Sequence, residues 1–319
     1  MSLLSLKNVN VTYKVKEQKI YAVNDVSFDV EEQDSVGIVG ESGSGKSTLA
    51  MAVLRLHNDM VTNISGNIIF EGKDLVNLNN KELKDLRWIK MAAVFQKSMN
   101  SLSPVHRIGS QLTDIYRVHR PNTSKSEAKE RIMELFKLVN LPERAFNSYQ
   151  HELSGGMTQR ISIALSLMFN PKLIIMDEAT TALDVVTESQ ILSEIMQLEK
   201  DLKVTRMMIT HDISIVANTC NKIAVMYAGH LLEFGLVKDV IPNPKHPYTR
   251  GLLKSFPNFK GEKVELKSLQ GRIPDMSIKS DRCIFYDRCT EKSDICKSNK
   301  PVLTKIDNLR SVSCHLVRM

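Results

Sequence analysis

The stretch that most constrains this chain is VGIVGESGSGKSTL at residues 36–49. Apolar Val36, Ile38 and Val39 read as a strand that enters a glycine-rich turn, and the residues beyond the turn read as a helix start. Gly40, Gly45, Lys46 and Ser47 keep the spacing G-x-x-x-x-G-K-S. Glycines let the backbone bend so that successive N–H groups point inward and enclose phosphate oxygens. A helix N-terminus behind them adds partial positive charge. Lys46 is placed to reach β- and γ-phosphates and the Ser47 hydroxyl to ligate Mg2+. Ser42, Gly43, Ser44 and Thr48 complete the expected cradle. A plain glycine-rich strand-to-helix turn has the same local look, and the motifs downstream decide between the two.

The 319 residues allow one large domain with an extension, or two domains. With 42% hydrophobic and 25% charged residues, the composition is that of an ordinary soluble globular protein. No stretch approaches the roughly 18 consecutive apolar residues that a spanning helix needs. The opening MSLLSLKNVN lacks a basic start and a long apolar run, so no signal peptide and a cytoplasmic location are expected. Residues 241–319 carry 16 Lys and Arg against 8 Asp and Glu, so the net charge of +7 resides in this tail. Such a tail suits nucleic acid or anionic lipid, and equally a solvated, loop-rich surface.

Residues 3–13 and 22–30 alternate like strands, with Val26, Phe28 and Val30 on one face and the polar residues 14–19 as a hairpin connection. Tyr13 precedes that connection and offers a ring face to a purine, or plain packing. A helix is expected at about 46–57, then strands at 66–72 and 91–96, the latter ending in Gln96. Residues 97–170 turn helical: Ile132, Leu135, Phe136 and Val139 follow i, i+3, i+4, i+7. Ser154 in LSGGMTQR is placed as the N-cap of a further helix. A strand at 171–180 ends in two carboxylates, a helix covers about 187–200, and RMMIT at 206–210 leads to His211. A strand pair at 222–235 turns at Ala228 and Gly229. This alternation predicts an α/β fold with a largely parallel sheet and a smaller antiparallel layer from the opening strands. Residues 241–319 read as an appended loop-rich module with a short helix near 248–255.

Asp177 and Glu178 end an apolar strand, where a doubly wound sheet places its ligand crevice. Asp177 is the candidate for hydrated Mg2+, whose shell prefers carboxylate and water oxygens. Glu178 points elsewhere and is the candidate to polarise an attacking water. Gln96 and His211 end other strands, within expected reach of the metal or water and of a γ-phosphate. Each alone reads as well as a structural residue; their convergence beside one phosphate loop carries the inference.

Together these motifs resemble the ATP-binding cassette (ABC) ATPases. The resemblance covers the phosphate loop at residues 40–47, Gln96, the signature Leu153, Ser154, Gly155 and Gly156, the strand 173–178, the loop Ala182, Leu183 and Asp184, and the switch histidine His211. It implies a cassette over residues 1–240, with a mixed sheet core, an antiparallel β layer and a helical subdomain nested at about 97–170. It further implies head-to-tail pairing, with Ser154, Gly155 and Gly156 capping an ATP held by the other cassette, and Tyr13 stacking on adenine. Met157 and Ala179 depart from the commoner Gln and Pro of the family.

FQKSMNSLSPVHRIGSQL, HPYTRGLL and RCIFYDRC are similar to the oligopeptide, dipeptide and nickel importer ATPases. That branch implies a homologous ATPase partner, two membrane subunits, an external binding protein, a place at the cytoplasmic face of the membrane, and no nucleic acid. Cargoes in the branch include peptides, nickel, metal chelates and sugars. A soluble cassette acting on nucleic acid would carry paired cassettes or a long coiled-coil insert. A metal–sulfur regulator with a vestigial ATPase would not need Lys46, Asp177, Glu178 and His211 intact.

Cys283, Cys289, Cys296 and Cys314 lie in the tail, while Cys220 stands apart. A reducing cytoplasm disfavours disulfides, and structural zinc usually uses tighter pairs. Four cysteines at wide spacing suit an iron–sulfur cluster, and the resemblance implies [4Fe–4S] here. Zinc and plain buried thiols stay open. Arg282, Arg288 and Lys297 adjoin the ligands and are expected to offset thiolate charge.

Overall fold

The computed structural model describes residues 2–95, 102–181, 183–255 and 269–317. Strands β1 (Ser2–Val15), β2 (Gln18–Glu31) and β3 (Ser35–Val39) precede helix α1 (Lys46–Val53), then β4 (Thr62–Phe70) and β5 (Lys73–Asp74). Next come α2 (Asn80–Leu86), β6 (Met91–Phe95), α3 (Ile108–His119), α4 (Lys125–Leu138), α5 (Gly155–Ser166), β7 (Leu173–Asp177) and α6 (Val185–Leu202). After β8 (Thr205–Ile209) follow α7 (Ile213–Thr219), β9 (Lys222–Tyr227), β10 (His230–Leu236), α8 (Val237–Val240) and α9 (Pro247–Lys254). The tail adds α10 (Asp294–Ser298), β11 (Thr304–Lys305) and β12 (Ser311–Val312). By their contacts these elements group into two units, residues 1–79 with 207–319, and residues 80–206.

In the first unit, β1 pairs antiparallel with β2 and β4, facing Leu6 to Phe28 and to Ile68. Period-two alternation buries Leu4, Leu6, Val26, Phe28 and Val30 on the inner face, and Val9 joins them opposite Val26 because the register shifts after Leu6. The expected antiparallel layer is therefore present. Its strands run further than the alternation suggested, because Val15 pairs with Gln18 and only a two-residue turn, with Lys16 at φ 55°, separates them. A second sheet pairs β3 parallel to β9, β9 antiparallel to β10, and β10 to β12. Phe28 and Phe234 stack at 5.1 Å between the two sheets. Asp34 takes Lys222 Nζ at 2.6 Å, and Ser35 N–H donates to Asn221 Oδ1 at 2.9 Å, so the start of β3 is pinned to β9. Helix α1 is shorter than expected, since Arg55 takes a left-handed φ of 52°.

The second unit holds parallel β6 and β7, with Phe95 beside Asp177. Ser124 and Glu127 form a reciprocal capping box at the start of α4. Ile132, Leu135, Phe136 and Val139 are all buried, as the helical period predicts. Arg160 donates to both Glu194 oxygens, at 3.0 and 2.9 Å, and ties α5 to α6.

The tail is less loop-like than its sequence suggests. Strand β12 extends the sheet beyond β10, and two-residue strands leave no period to read. Phe285, Cys283 and Cys296 join Val39, Tyr227 and Tyr248 in one apolar cluster. Glu233, fully buried, accepts from the N–H groups of Lys245 and His246 at 3.0 Å each and from Arg310 Nη2 at 2.6 Å. An unpaired carboxylate there would be costly, so these donors fix the path into α9.

His246 caps α9: its Nδ1 accepts from the Tyr248 N–H at 3.0 Å, which requires that nitrogen unprotonated. Burial, with a contribution from the Arg250 charge, pushes its pKa from 6.5 down to about 3. The folded state thus favours the neutral ring. The stabilisation is complete above pH 6.5 and is lost as pH falls from there toward 3, at about 1.4 kcal/mol per pH unit. His246→Asn, which keeps a cap acceptor, should lose less melting temperature than wild type on going from about pH 7.5 to about pH 5. Circular dichroism melts check this, and parallel losses in both proteins would contradict it.

Candidate nucleotide site

Strand β3 delivers the phosphate loop of the first unit. Gly40 takes φ 154° and Gly45 takes φ 93°. A Cβ on Gly40 would lie 2.1 Å from Met226 O, and one on Gly45 2.2 Å from Ala22 O. Only glycine fits either place. Gly43, at φ 80°, has nothing within 4 Å of its would-be Cβ, so the rim of the loop is open. The β9–β10 turn braces the loop from behind, with the Gly229 N–H donating to Ser44 O at 3.0 Å. Lys46 is nearly buried, and its ammonium donates to Gly40 O at 2.7 Å, Glu41 O at 2.9 Å and Ser44 Oγ at 3.3 Å. Ser47 and Thr48 open α1, whose Leu49 N–H bonds back to Gly45 O.

Tyr13 lies against α1, its hydroxyl 3.4 Å from Thr48 Oγ1 and 3.2 Å from His57 Nδ1. His57 Nε2 donates to Thr48 O at 3.0 Å, and burial lowers its pKa. No motif singles out His57, which lies 44 positions from Tyr13. His211 follows β8 and is exposed. The neighbouring Thr210 N–H donates to Ile38 O at 3.2 Å, which sets the end of β8 beside the strand that launches the loop.

In the second unit, β7 ends at Asp177, and Glu178 follows with a left-handed φ of 48°. For a residue bearing a Cβ this conformation costs about 1–3 kcal/mol and is kept where surrounding structure imposes it. Ser154 caps α5, accepting from Met157 N–H at 3.3 Å, and both Ser154 and Gly155 are exposed. A Cβ on Gly156 would meet Thr187 Cγ2 at 2.9 Å, so α5 approaches α6 closely there. Asp184 caps α6 through Thr187 N–H at 3.0 Å, and the Thr187 hydrogen bonds hold its carboxyl below the usual range. Gln96 and Ala182 lie outside the described residues. The expected Mg2+ donors are a hydroxyl, Ser47, and a carboxylate, Asp177, the hard oxygens this ion prefers.

The tail thiols require a correction. Cys283 N–H donates to Cys296 O at 3.1 Å, and Cys283, Cys289 and Cys314 each lie within electrostatic range of Cys296. Burial first, and the neighbouring thiols second, push Cys283 up to about 11; burial also raises Cys289 and Cys314. Among the described residues, no three His, Cys, Asp or Glu side chains converge to hold a metal ion. The geometry therefore does not support the expected cysteine metal module. Two of the three cations expected to offset thiolate charge are engaged elsewhere: Arg282 on Asp287 at 2.7 Å, and Arg288 on Glu41. Among the described residues, no helix is long and apolar enough to cross a membrane.

The family model for the ABC transporter matches residues 23–181, and that for the oligopeptide/dipeptide transporter C-terminal region matches residues 232–296. The chain is similar to the dipeptide transport ATP-binding protein DppD of Haemophilus influenzae, 39% identical over 99% of this chain and 96% of that protein. It is also similar to the oligopeptide transport ATP-binding protein OppD of Salmonella typhimurium, 39% identical over 94% of this chain and 90% of that protein. Among solved structures it resembles the ATP-binding cassette MJ0796 in a dimeric, post-hydrolysis state bound to ADP and Pi. The TM-score is 0.66 at 31% identity, covering 73% of this chain and 98% of that one.

Proposed function

Since this chain belongs to the ABC transporter ATPases, in their oligopeptide and dipeptide branch, we propose that it hydrolyses ATP to drive uptake of di- and oligopeptides through a membrane importer. The observation that carries the reading is the joint match of cassette and peptide-transporter C-terminal region, on a chain whose phosphate loop closes around Lys46. The cassette spans residues 1–240 with a helical subdomain at about 97–170, and residues 241–319 form the extension. Its partners are a homologous ATPase, two membrane subunits and an external binding protein, and it works at the cytoplasmic face of the membrane.

On ATP binding, Lys46 leaves the carbonyls of Gly40 and Glu41 for β- and γ-phosphate oxygens, while the N–H groups of residues 42–48 enclose them. Tyr13 stacks on the adenine. Mg2+ would be held by Ser47, Asp177 and Gln96 and would supply charge neutralisation of the phosphates. Glu178 accepts a proton from the attacking water, and His211 contacts the γ-phosphate. Ser154, Gly155 and Gly156 cap the ATP of the partner cassette with the N-terminus of α5. Val185 and Val186, 80% and 79% exposed beside Asp184, give the facing surface apolar contact to bury. Hydrolysis and phosphate release remove the shared anion, and the two cassettes part.

Glu178→Gln should still bind MgATP, accumulate a closed dimer with the partner cassette, and hydrolyse at least about 10²-fold more slowly. Phosphate release and gel filtration measure both, and wild-type turnover in the variant would contradict the role of Glu178.

A [4Fe–4S] cluster on Cys283, Cys289, Cys296 and Cys314 is a further proposal, carried by ligand number alone: the extension supplies the four thiols that four-cysteine ligation needs, although the described side chains do not converge on one point. Iron and acid-labile sulfide at about four each per chain are expected in anaerobically purified protein. Stoichiometric zinc, or no metal, would discard the cluster and leave a core of neutral thiols.

A further inference from the structure

We infer that Arg288, in the C-terminal extension, is a positioning residue for the phosphate loop: it holds the Glu41 carboxylate away from Lys46 and cancels its charge where the phosphates of ATP arrive. This rests on the reading that the loop binds ATP. Glu41 follows Gly40 directly, and an acid is an odd occupant of an anion cradle. A free carboxylate there would repel the nucleotide and compete with it for the ammonium of Lys46.

The structure shows what restrains it. Arg288 Nη1 donates to both Glu41 carboxylate oxygens at 3.0 Å each. The guanidinium cannot swing away, because Nε donates to Gln270 O at 2.8 Å, Nη2 to Leu269 O at 3.2 Å, and its plane lies 5.4 Å from the centre of the Tyr227 ring. Its side chain is only 6% exposed. The backbone of Glu41 is fixed from the same side, since its N–H donates to the Tyr248 hydroxyl at 3.0 Å. Tyr248 is buried against Tyr227 and Phe285 at ring separations of 4.8 and 5.4 Å. Glu41 O, so positioned, is one of the carbonyls that Lys46 must release to ATP. The extension thus holds both the backbone and the charge of this loop residue.

A structural strut and an electrostatic guard differ in one respect. If Arg288 matters because it neutralises Glu41, removing the Glu41 charge should repair the loss of Arg288. MgATP affinity of the purified full-length chain, by calorimetric titration, reads this directly. Arg288→Gln, which keeps a hydrogen-bond donor and loses the charge, is expected to bind MgATP about tenfold more weakly, equivalent to about 1.4 kcal/mol. KM for ATP should rise likewise, with kcat little changed. The double variant Glu41→Gln/Arg288→Gln is expected back within about threefold of wild type. Wild-type affinity in Arg288→Gln, or a double variant as weak as the single, overturns the inference. Should Arg288→Gln melt early, the neutral double variant alone decides, on the same threefold criterion. A wild-type chain that binds no MgATP would sink the ATPase reading itself, a result distinct from either of these.

Discussion

A buried ammonium must be surrounded by acceptors, and the architecture of the first unit follows from that demand at Lys46. The carbonyls of Gly40 and Glu41 reach it only because the loop folds back on itself at φ values that exclude a side chain. That fold is held by β3 on one side and by the Ala228–Gly229 turn behind, whose N–H secures Ser44 O. Phosphate oxygens are the same class of acceptor with more charge, so on the proposed reading a loop built this way would exchange carbonyls for phosphates without rebuilding its frame.

The C-terminal extension belongs to this frame. Its Phe285, Cys283 and Cys296 share an apolar cluster with Val39, the last residue before the loop. Glu233 and Arg310, both buried, tie β10 to the far end of the tail. The Tyr21 N–H bonds Met276 O at 2.8 Å, so the tail also touches the opening hairpin. Burial on this scale makes the tail's integrity a condition for the loop's geometry.

Much of this was legible in the sequence because the signals are local. The glycine spacing located the loop, and the helical period found the buried face of α4. Ser154 and Asp184 carry the side-chain oxygens that cap α5 and α6. What escaped is non-local. Glu41 and Arg288 lie 247 positions apart, and no motif links them. Chain order sets Arg288 beside Cys289, whereas the fold turns its charge toward the Glu41 carboxylate on another element. The strands β11 and β12 are too short for any period, and cysteine spacing cannot say whether thiols converge. Glu178 differs again: the sequence marks it as a candidate for chemistry, but no local pattern announces its left-handed backbone.

Everything rests on Lys46 exchanging loop carbonyls for the phosphates of one nucleotide. Titrating MgATP into wild type and into Lys46→Met, with melting temperature matched, tests this most directly. The account predicts saturable binding to wild type and at least about tenfold weaker binding to the variant. Equal affinity in the two proteins would contradict it.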